Sequence, residues 1–289
     1  MPAMTTATET SNIVIRDLGG SAELRAVEDL QKKVWGIPDL DIVPLSHLVA
    51  TKAAGGVLLG AFDRERLIGF VYGFVSYEQG TVAHHSHMLA VNPAYRNFNL
   101  GYKLKLAQRE RVLVQGIRVM TWTFDPLQSL NAYFNFSKLG VLSDRYFVNF
   151  YGEEAASFLH RNGTDRLWVN WLLTSGRVNE RLQGTVSELE LENVTPLVQF
   201  GIDDSPHRSD LSEALSHEQV FIEIPPDINA LERRSDELAN EWRESTRWAF
   251  TQAVAAGYLV TDFYRQNRGE RRPGTYLLSR SKNIDDLAT

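Results

Sequence analysis

The sequence predicts a mixed α/β fold, and three observations carry that reading. An apolar run from His87 to Val91 reads as a strand, breaks at Asn92-Pro93, and leads through a short polar loop to Gly101. There a helical pattern opens, with Leu104, Leu106, Ala107, Val112 and Leu113 near one face. Two runs rich in β-branched and aromatic residues, Val57 to Phe62 and Leu67 to Tyr77, flank the turn Asp63-Arg64-Glu65-Arg66 and predict a hairpin. At 289 residues there is room for one large domain or two modest ones. Hydrophobic residues at 43% and charged residues at 23% are ordinary for a globular protein.

Taken in order, residues 1–11 read as a frayed tail without the apolar core of a signal peptide. Ile13 to Arg16 alternate as a short strand. A helix follows from about Ser21, whose hydroxyl can cap it with Glu23 nearby, and ends near Trp35-Gly36. Pro38 and Pro44 punctuate a loop, and a second helix over 46–54 is stopped by Gly55-Gly56. The hairpin comes next, then a strand at 84–91, a helix at 101–115, a strand at 117–124 and a helix at 127–138. Residues 146–151 and 167–174 supply two more strands. Beyond a connecting loop at 200–217, Pro225-Pro226 divides a strand (220–224) from a long amphipathic helix over 228–256. Gly257 ends that helix, and strands at 258–264 and 275–279 close the chain.

The loop between the strand at 84–91 and the next helix holds the chemistry. A helix N-terminus presents several unpaired N–H groups and the positive end of its dipole, which suits a phosphate. Arg96, Lys103, Lys105, Arg109 and Arg111 gather here against the single acid Glu110, in a chain whose formal net charge is −6. That overall charge argues against general nucleic-acid binding. No run of eighteen apolar residues marks a membrane span. The absence of cysteine excludes disulfides, thiolate metal sites and a cysteine nucleophile. A cytoplasmic protein is the default expectation.

Leu89 to Gly101 resembles the acyl-CoA-binding motif of the GNAT superfamily of N-acyltransferases. Val91, Pro93, Arg96 and Gly101 match, and Asn99 replaces the first glycine, a mild change because asparagine tolerates a left-handed backbone. A second block, Ala132 to Gly140, is similar to the helix of that family ending in Tyr-x-Lys-x-Gly; Lys138 and Gly140 match, and Phe136 stands in place of the tyrosine. The resemblance covers about residues 12–175 and implies a GNAT fold: a mixed, mostly antiparallel sheet flanked by helices, with its fourth and fifth strands splayed around the acyl thioester. It implies a catalytic domain over 12–180. Residues 181–289 would then be an α/β extension, read either as a family-specific addition that packs on the first domain or as a degenerate second lobe of the same kind.

The resemblance also implies roles. Acetyl-CoA or succinyl-CoA is the expected donor. Main-chain groups of Leu89, Ala90 and Val91 would hold the acyl carbonyl and pantetheine, where an N–H can stabilise the oxyanion. The diphosphate would lie on Asn97, Phe98, Asn99, Leu100, Gly101, Tyr102 and Lys103, beside Arg96. Asn131, Phe136 and Lys138 are further cofactor positions, although Lys138 can equally neutralise a helix C-terminus.

The attacking amine needs a base. Period-two alternation places His85 and His87 on one face with Leu89 and Val91, making His87 a candidate base and His85 a substrate contact. An ordinary hydrogen-bonded strand histidine is the alternative. Asp125 after Trp122-Thr123-Phe124 is the other candidate, either for the amine or as a cap for the helix near Leu127. Phe136 has no proton to give, so Tyr133 would serve as acid or the thiolate would leave unaided.

Ser86-His87-Met88, Leu104 to Glu110, Trp122 to Leu127 and Thr164 to Leu167 are similar to a GNAT branch found with N-acylamino-acid racemases. That likeness implies N-succinylation of amino acids, with Trp122 near the substrate and Arg166 pairing with a carboxylate, unless Arg166 forms a structural ion pair with Asp165. The implied partners are acyl-CoA and a small amine, with no nucleic acid, membrane or metal; the three histidines at 84–87 lack metal-ligand spacing. A homodimer is compatible with the chain. A protein N-acetyltransferase and a non-catalytic acyl-CoA sensor are the other readings.

Overall fold

The structure, a computed structural model, describes residues 13–152, 162–185, 193–265, 272–281 and 283–284. The tail predicted at 1–11 lies outside them. The fold is mixed α/β, with sheets flanked by helices, and divides into two compact units, Met1–Ile117 and Arg118–Thr289.

In the first unit, β1 (Ile13–Asp17), β2 (Val57–Asp63), β3 (Arg66–Glu78) and β4 (Thr81–Val91) form an antiparallel meander in that order. The β3–β4 turn puts Gln79 (φ 45°) and Gly80 (φ 88°) in left-handed conformations, the turn whose twist suits a hairpin. Helices α1 (Gly20–Trp35) and α2 (Leu45–Ala53) cover one face. Their Leu24, Val27, Leu30 and Leu48 close a core with Leu58, Phe62, Phe70, Tyr72 and Ala90, and Met88 and Phe74 pack against it. Helix α3 (Leu100–Val114) serves the opposite face, where its Leu104 approaches Gly69 and Val91. Ser21 does not cap α1: Gly19 holds the cap position, and the Glu23 carboxylate accepts the Gly19 N–H at 2.7 Å while gripping Arg16.

The β3–β4 register steps by one residue. Tyr72 pairs with Met88, but Gly73 pairs with Ser86, so His87 is the extra residue of a bulge. The bulge overturns the simple alternation expected of this strand. His84 and Ser86 point to α3, as do Leu89 and Val91, whereas His85 and His87 join Tyr72 and Phe74 on the other face.

The second unit carries β5 (Val119–Phe124), β6 (Leu142–Phe147), β7 (Arg166–Leu172), β8 (Thr195–Phe200), β9 (Pro206–Arg208), β10 (Gln219–Ile224), β11 (Tyr258–Arg265) and β12 (Gly274–Arg280). Their spatial order is β5-β7-β6-β11-β12-β10-β8-β9. Among the described residues all pairs of this unit are antiparallel except β8 with β10. The helix expected over 127–138 is only α4 (Ser129–Ala132), which continues as a π-helical turn over Tyr133–Leu139 and stops at Gly140 (φ 74°). That wider turn lets Phe136 and Leu139 bury fully. Strand β6 consequently begins at Leu142 and ends before Asn149 (φ 47°), so the strand expected at 146–151 is displaced toward the N-terminus.

Helix α5 (Gly176–Leu182) follows β7, and the predicted connecting loop at 200–217 contains β9 and α6 (Leu211–Ala214). The single helix expected at 228–256 is two, α7 (Ile228–Arg234) and α8 (Asp236–Ala255). Ser235 between them turns extended (φ −158°), and its Oγ caps α8 by accepting the Leu238 N–H at 3.1 Å.

Candidate functional site

The candidate site grows from the end of β4. Asn92 stops the strand: its side chain accepts the Ala94 N–H at 3.2 Å, and Pro93 starts a 3-10 turn that runs to Phe98. Asn99 then adopts φ 56°, ψ 29°, the left-handed conformation for which glycine is the usual choice, and α3 begins. No side chain caps α3 and no acid lies in its first turn. The first N–H groups of a helix have no acceptor within it, so Leu100 and Gly101 present theirs at the positive end of the helix dipole. Arg96 and Lys103 are exposed beside them. Lys105 and Arg111, grouped with them by sequence, are elsewhere: Lys105 is 4% exposed, and Arg111 pairs with Asp17 at 2.8 Å.

Gly101 tests this cradle. A Cβ there would meet only Leu89 Cδ2 at an ordinary 3.5 Å. Gly101→Ala is therefore expected to fold, with a melting temperature no lower than wild type, since alanine favours a helix over glycine. Its methyl group would crowd an anion at the N–H groups and weaken its binding by about tenfold, the equivalent of one charge-assisted hydrogen bond. Calorimetric titration with a diphosphate-bearing nucleotide such as CoA checks it, and an affinity unchanged from wild type would place any anion site elsewhere.

Leu89, Ala90 and Val91 pair through β4 with Val71, Phe70 and Gly69. Just before them stands an aromatic and histidine patch that sequence reading saw only in part. His87 lies 5.8 Å from the rings of both Tyr72 and Phe74, and His85 lies 5.4 Å from Phe74. His47 of α2, which no motif marked, reaches Tyr72 at 6.2 Å. Tyr72 is fixed by a 3.1 Å hydrogen bond with Thr51. His87 keeps solvent access, yet removal from bulk water, with His47 nearby, holds its imidazole below the usual histidine range. Its neutral, proton-accepting form therefore persists to lower pH than in an ordinary histidine.

The remaining sequence candidates lie in the second unit. Asp125 accepts both ends of the Arg243 guanidinium at 2.9 Å each, and its Oδ1 also accepts the Leu127 N–H at 3.0 Å, a bond within the turn before α4; α4 begins at Ser129 with Gln128 at its cap position, so Asp125 is not the helix cap. One helical turn along α8, Arg247 grips Asp165, which also accepts the Tyr146 hydroxyl at 2.7 Å and the Asn149 N–H at 3.0 Å. Burial alone would raise the Asp165 carboxyl, but Arg247 and these donors hold it below the usual range. Arg166 is buried, donates to the Asp165 main-chain oxygen at 2.8 Å and lies over Tyr151. The Asp165 carboxylate goes to Arg247.

Trp122 is 6% exposed, and its indole N–H donates to Asn135 at 3.2 Å. Phe136 is fully buried between Phe124 and Tyr276, edge-on to Tyr276 at 5.8 Å. Tyr133 is half-buried with Lys138 and Arg265 near its ring, while Asn131 and Lys138 are exposed. Among the described residues no three side chains gather as metal ligands, and no helix is long and apolar enough to cross a membrane.

No family model matches the chain, and no curated protein matches it. Solved structures of similar architecture include a ribosomal-protein-alanine N-acetyltransferase of Escherichia coli, 14% identical, with a TM-score of 0.46 over 56% of this chain and 94% of that one. A GNAT family acetyltransferase from Elizabethkingia anophelis with acetyl-CoA bound is 15% identical, with a TM-score of 0.45 over 56% of this chain and 99% of that one. An aminoglycoside 6'-acetyltransferase of type Ii is 18% identical, with a TM-score of 0.45 over 55% and 97%. At such values the functional reading rests on the chain's own residues.

Proposed function

We propose that this chain is a CoA-dependent N-acyltransferase of the GNAT type, moving an acetyl or succinyl group to the amine of a small molecule, in particular an amino acid. The observation that carries the reading is the uncapped, acid-free N-terminus of α3, entered through left-handed Asn99 directly after β4. The N–H groups from Asn97 to Lys103, with Arg96, would hold the CoA diphosphate. Main-chain groups of Leu89, Ala90 and Val91 would align the pantetheine and the acyl carbonyl.

His87 is the group we assign as base. The amine nitrogen forms a bond to the acyl carbon as its proton passes to His87, directly or through a water, and the carbon–sulfur bond breaks as the thiolate leaves. A main-chain N–H facing the carbonyl steadies the oxyanion formed in between. His85 and His47 border the acceptor. Phe136 stands where the resembled family carries a tyrosine and has no hydroxyl to give, so the thiolate, a good leaving group, leaves unaided. The amino-acid acceptor and the succinyl donor rest on the likeness of Ser86-His87-Met88 and its companion segments to the racemase-associated branch.

The chain has no cysteine, so a colorimetric free-thiol assay reads released CoA without protein background. Acetyl-CoA and succinyl-CoA, each with pooled D- and L-amino acids, should give thiol only when donor and acceptor are both present. No release across the panel, with CoA still raising the melting temperature, would overturn the small-molecule reading in favour of a protein acceptor or a sensor.

A further inference from the structure

Beneath the bulge at His87 lies a row of four buried polar side chains that the reaction itself does not use. Lys105 Nζ donates to Ser86 Oγ at 2.7 Å, Ser86 Oγ donates to Gln108 Oε1 at 2.8 Å, and Gln108 Nε2 meets His84 Nε2 at 3.2 Å. Because Gln108 donates this last bond, His84 accepts through Nε2 and carries its proton on Nδ1, a buried atom with no hydrogen-bond partner. None of the four side chains exceeds 4% exposure. Burial and the neighbouring Lys105 push His84 down to about 3, and burial holds Lys105 well below its usual value.

Two demands meet in β4. The polar row pins residues 84 and 86 to the α3 face, while the α1/α2 core requires Met88 and Ala90 on the other. A regular strand would put all four on one side. One extra residue reconciles the demands, and that residue is His87. Gly73, which faces the bulge, is cut to the same arrangement. A Cβ there would lie 2.4 Å from His84 Nε2, 2.6 Å from the His85 carbonyl and 2.8 Å from Gln108 Nε2.

We infer that Ser86, Gln108, Lys105 and His84 are positioning residues that hold the β4 bulge and so aim His87 toward Tyr72, His85 and His47. The inference rests on the assignment of His87 as base only for its kinetic consequence; the placement of the ring can be read without turnover. The titratable groups facing His87 are Tyr72 on β3, His85 on β4 and His47 on α2.

The experiment follows the His87 imidazole by NMR through a pH titration in wild type, Ser86→Ala, Ser86→Thr and Gln108→Leu, with CoA affinity, kcat and KM beside it. In Ser86→Ala the His87 midpoint should move up toward the ordinary histidine value. Its kcat should fall by about tenfold to a hundredfold, as for a displaced reacting group, with CoA affinity unchanged. Ser86→Thr keeps the hydroxyl and should restore both. Gln108→Leu should reproduce the shift through the middle of the row. A His87 titration that superimposes on wild type in Ser86→Ala and Gln108→Leu, while only the melting temperature falls, would overturn the inference. If His87→Ala kept its activity while Ser86→Ala still moved the His87 midpoint, the positioning would stand and the base assignment would fall.

Discussion

Arg243→Met is expected to lower the unfolding free energy by about 3–5 kcal/mol, the range for removing one partner of a buried ion pair. The Arg243 side chain is 4% exposed and that of Asp125 20%, and both guanidinium ends bond the carboxylate at 2.9 Å. The Arg243 Nε–H also donates to the Asn162 carbonyl at 2.7 Å. Burial by itself would favour a neutral arginine, but the charge and hydrogen bonds of Asp125 prevail and hold Arg243 above its usual value. Methionine would fill similar space while leaving a carboxylate with the Leu127 N–H and no counter-charge. Urea unfolding measures the loss. In Asp125→Asn/Arg243→Met the orphaned charge is gone, so much of the stability should return. A loss below about 1 kcal/mol for Arg243→Met alone, the size of a surface change, would show that water reaches Asp125 and that the pair does not brace α8.

His87→Ala should reduce kcat by about a hundredfold to ten-thousandfold, the range for losing a positioned base, while CoA affinity stays within about twofold because the cradle at α3 is untouched. The pH profile carries its own prediction. As the proposed base, His87 would act through its neutral imidazole, and partial removal from bulk water, with His47 nearby, depresses this histidine. Wild-type kcat/KM should therefore hold its plateau below the pH at which an ordinary histidine titrates, then fall as His87 gains its proton. His47→Ala removes a neighbouring like charge and should move that fall to higher pH. An acid limb unchanged in His87→Ala would assign the titration, and the base, to another group.

What was legible in the sequence had local causes. Asn92-Pro93 ends a strand by removing a ladder donor, and Asn99 turns left-handed because its own side chain tolerates it; both are written within a few residues. The order of strands and helices follows from such signals. The bulge at His87 was illegible because alternation is read along one strand, whereas the bulge answers to α3 on one side and α1/α2 on the other. Asp125 reads in sequence as an amine-binding residue or a helix cap, and its ion pair was illegible for a related reason: its partner Arg243 lies more than a hundred residues away on α8. Lys105 counted as surface charge until the fold buried it against Ser86. The π-helical turn at Tyr133–Leu139 leaves no compositional trace, since its residues are ordinary helix formers and the distortion serves the burial of Phe136.

The bulge in β4 also makes the segment's length, and not only its composition, a constraint. Strand residues have parity, odd to one face and even to the other, and His87 is the point where that parity changes sign. Deleting any one residue between His84 and Met88 would restore uniform parity, driving either the polar pair His84 and Ser86 into the aliphatic core or Met88 and Ala90 out of it. Inserting one residue would do the same from the other direction. A substitution at His87 leaves the count intact, so the strand can lose its imidazole and keep its frame; a change in length cannot be absorbed so locally.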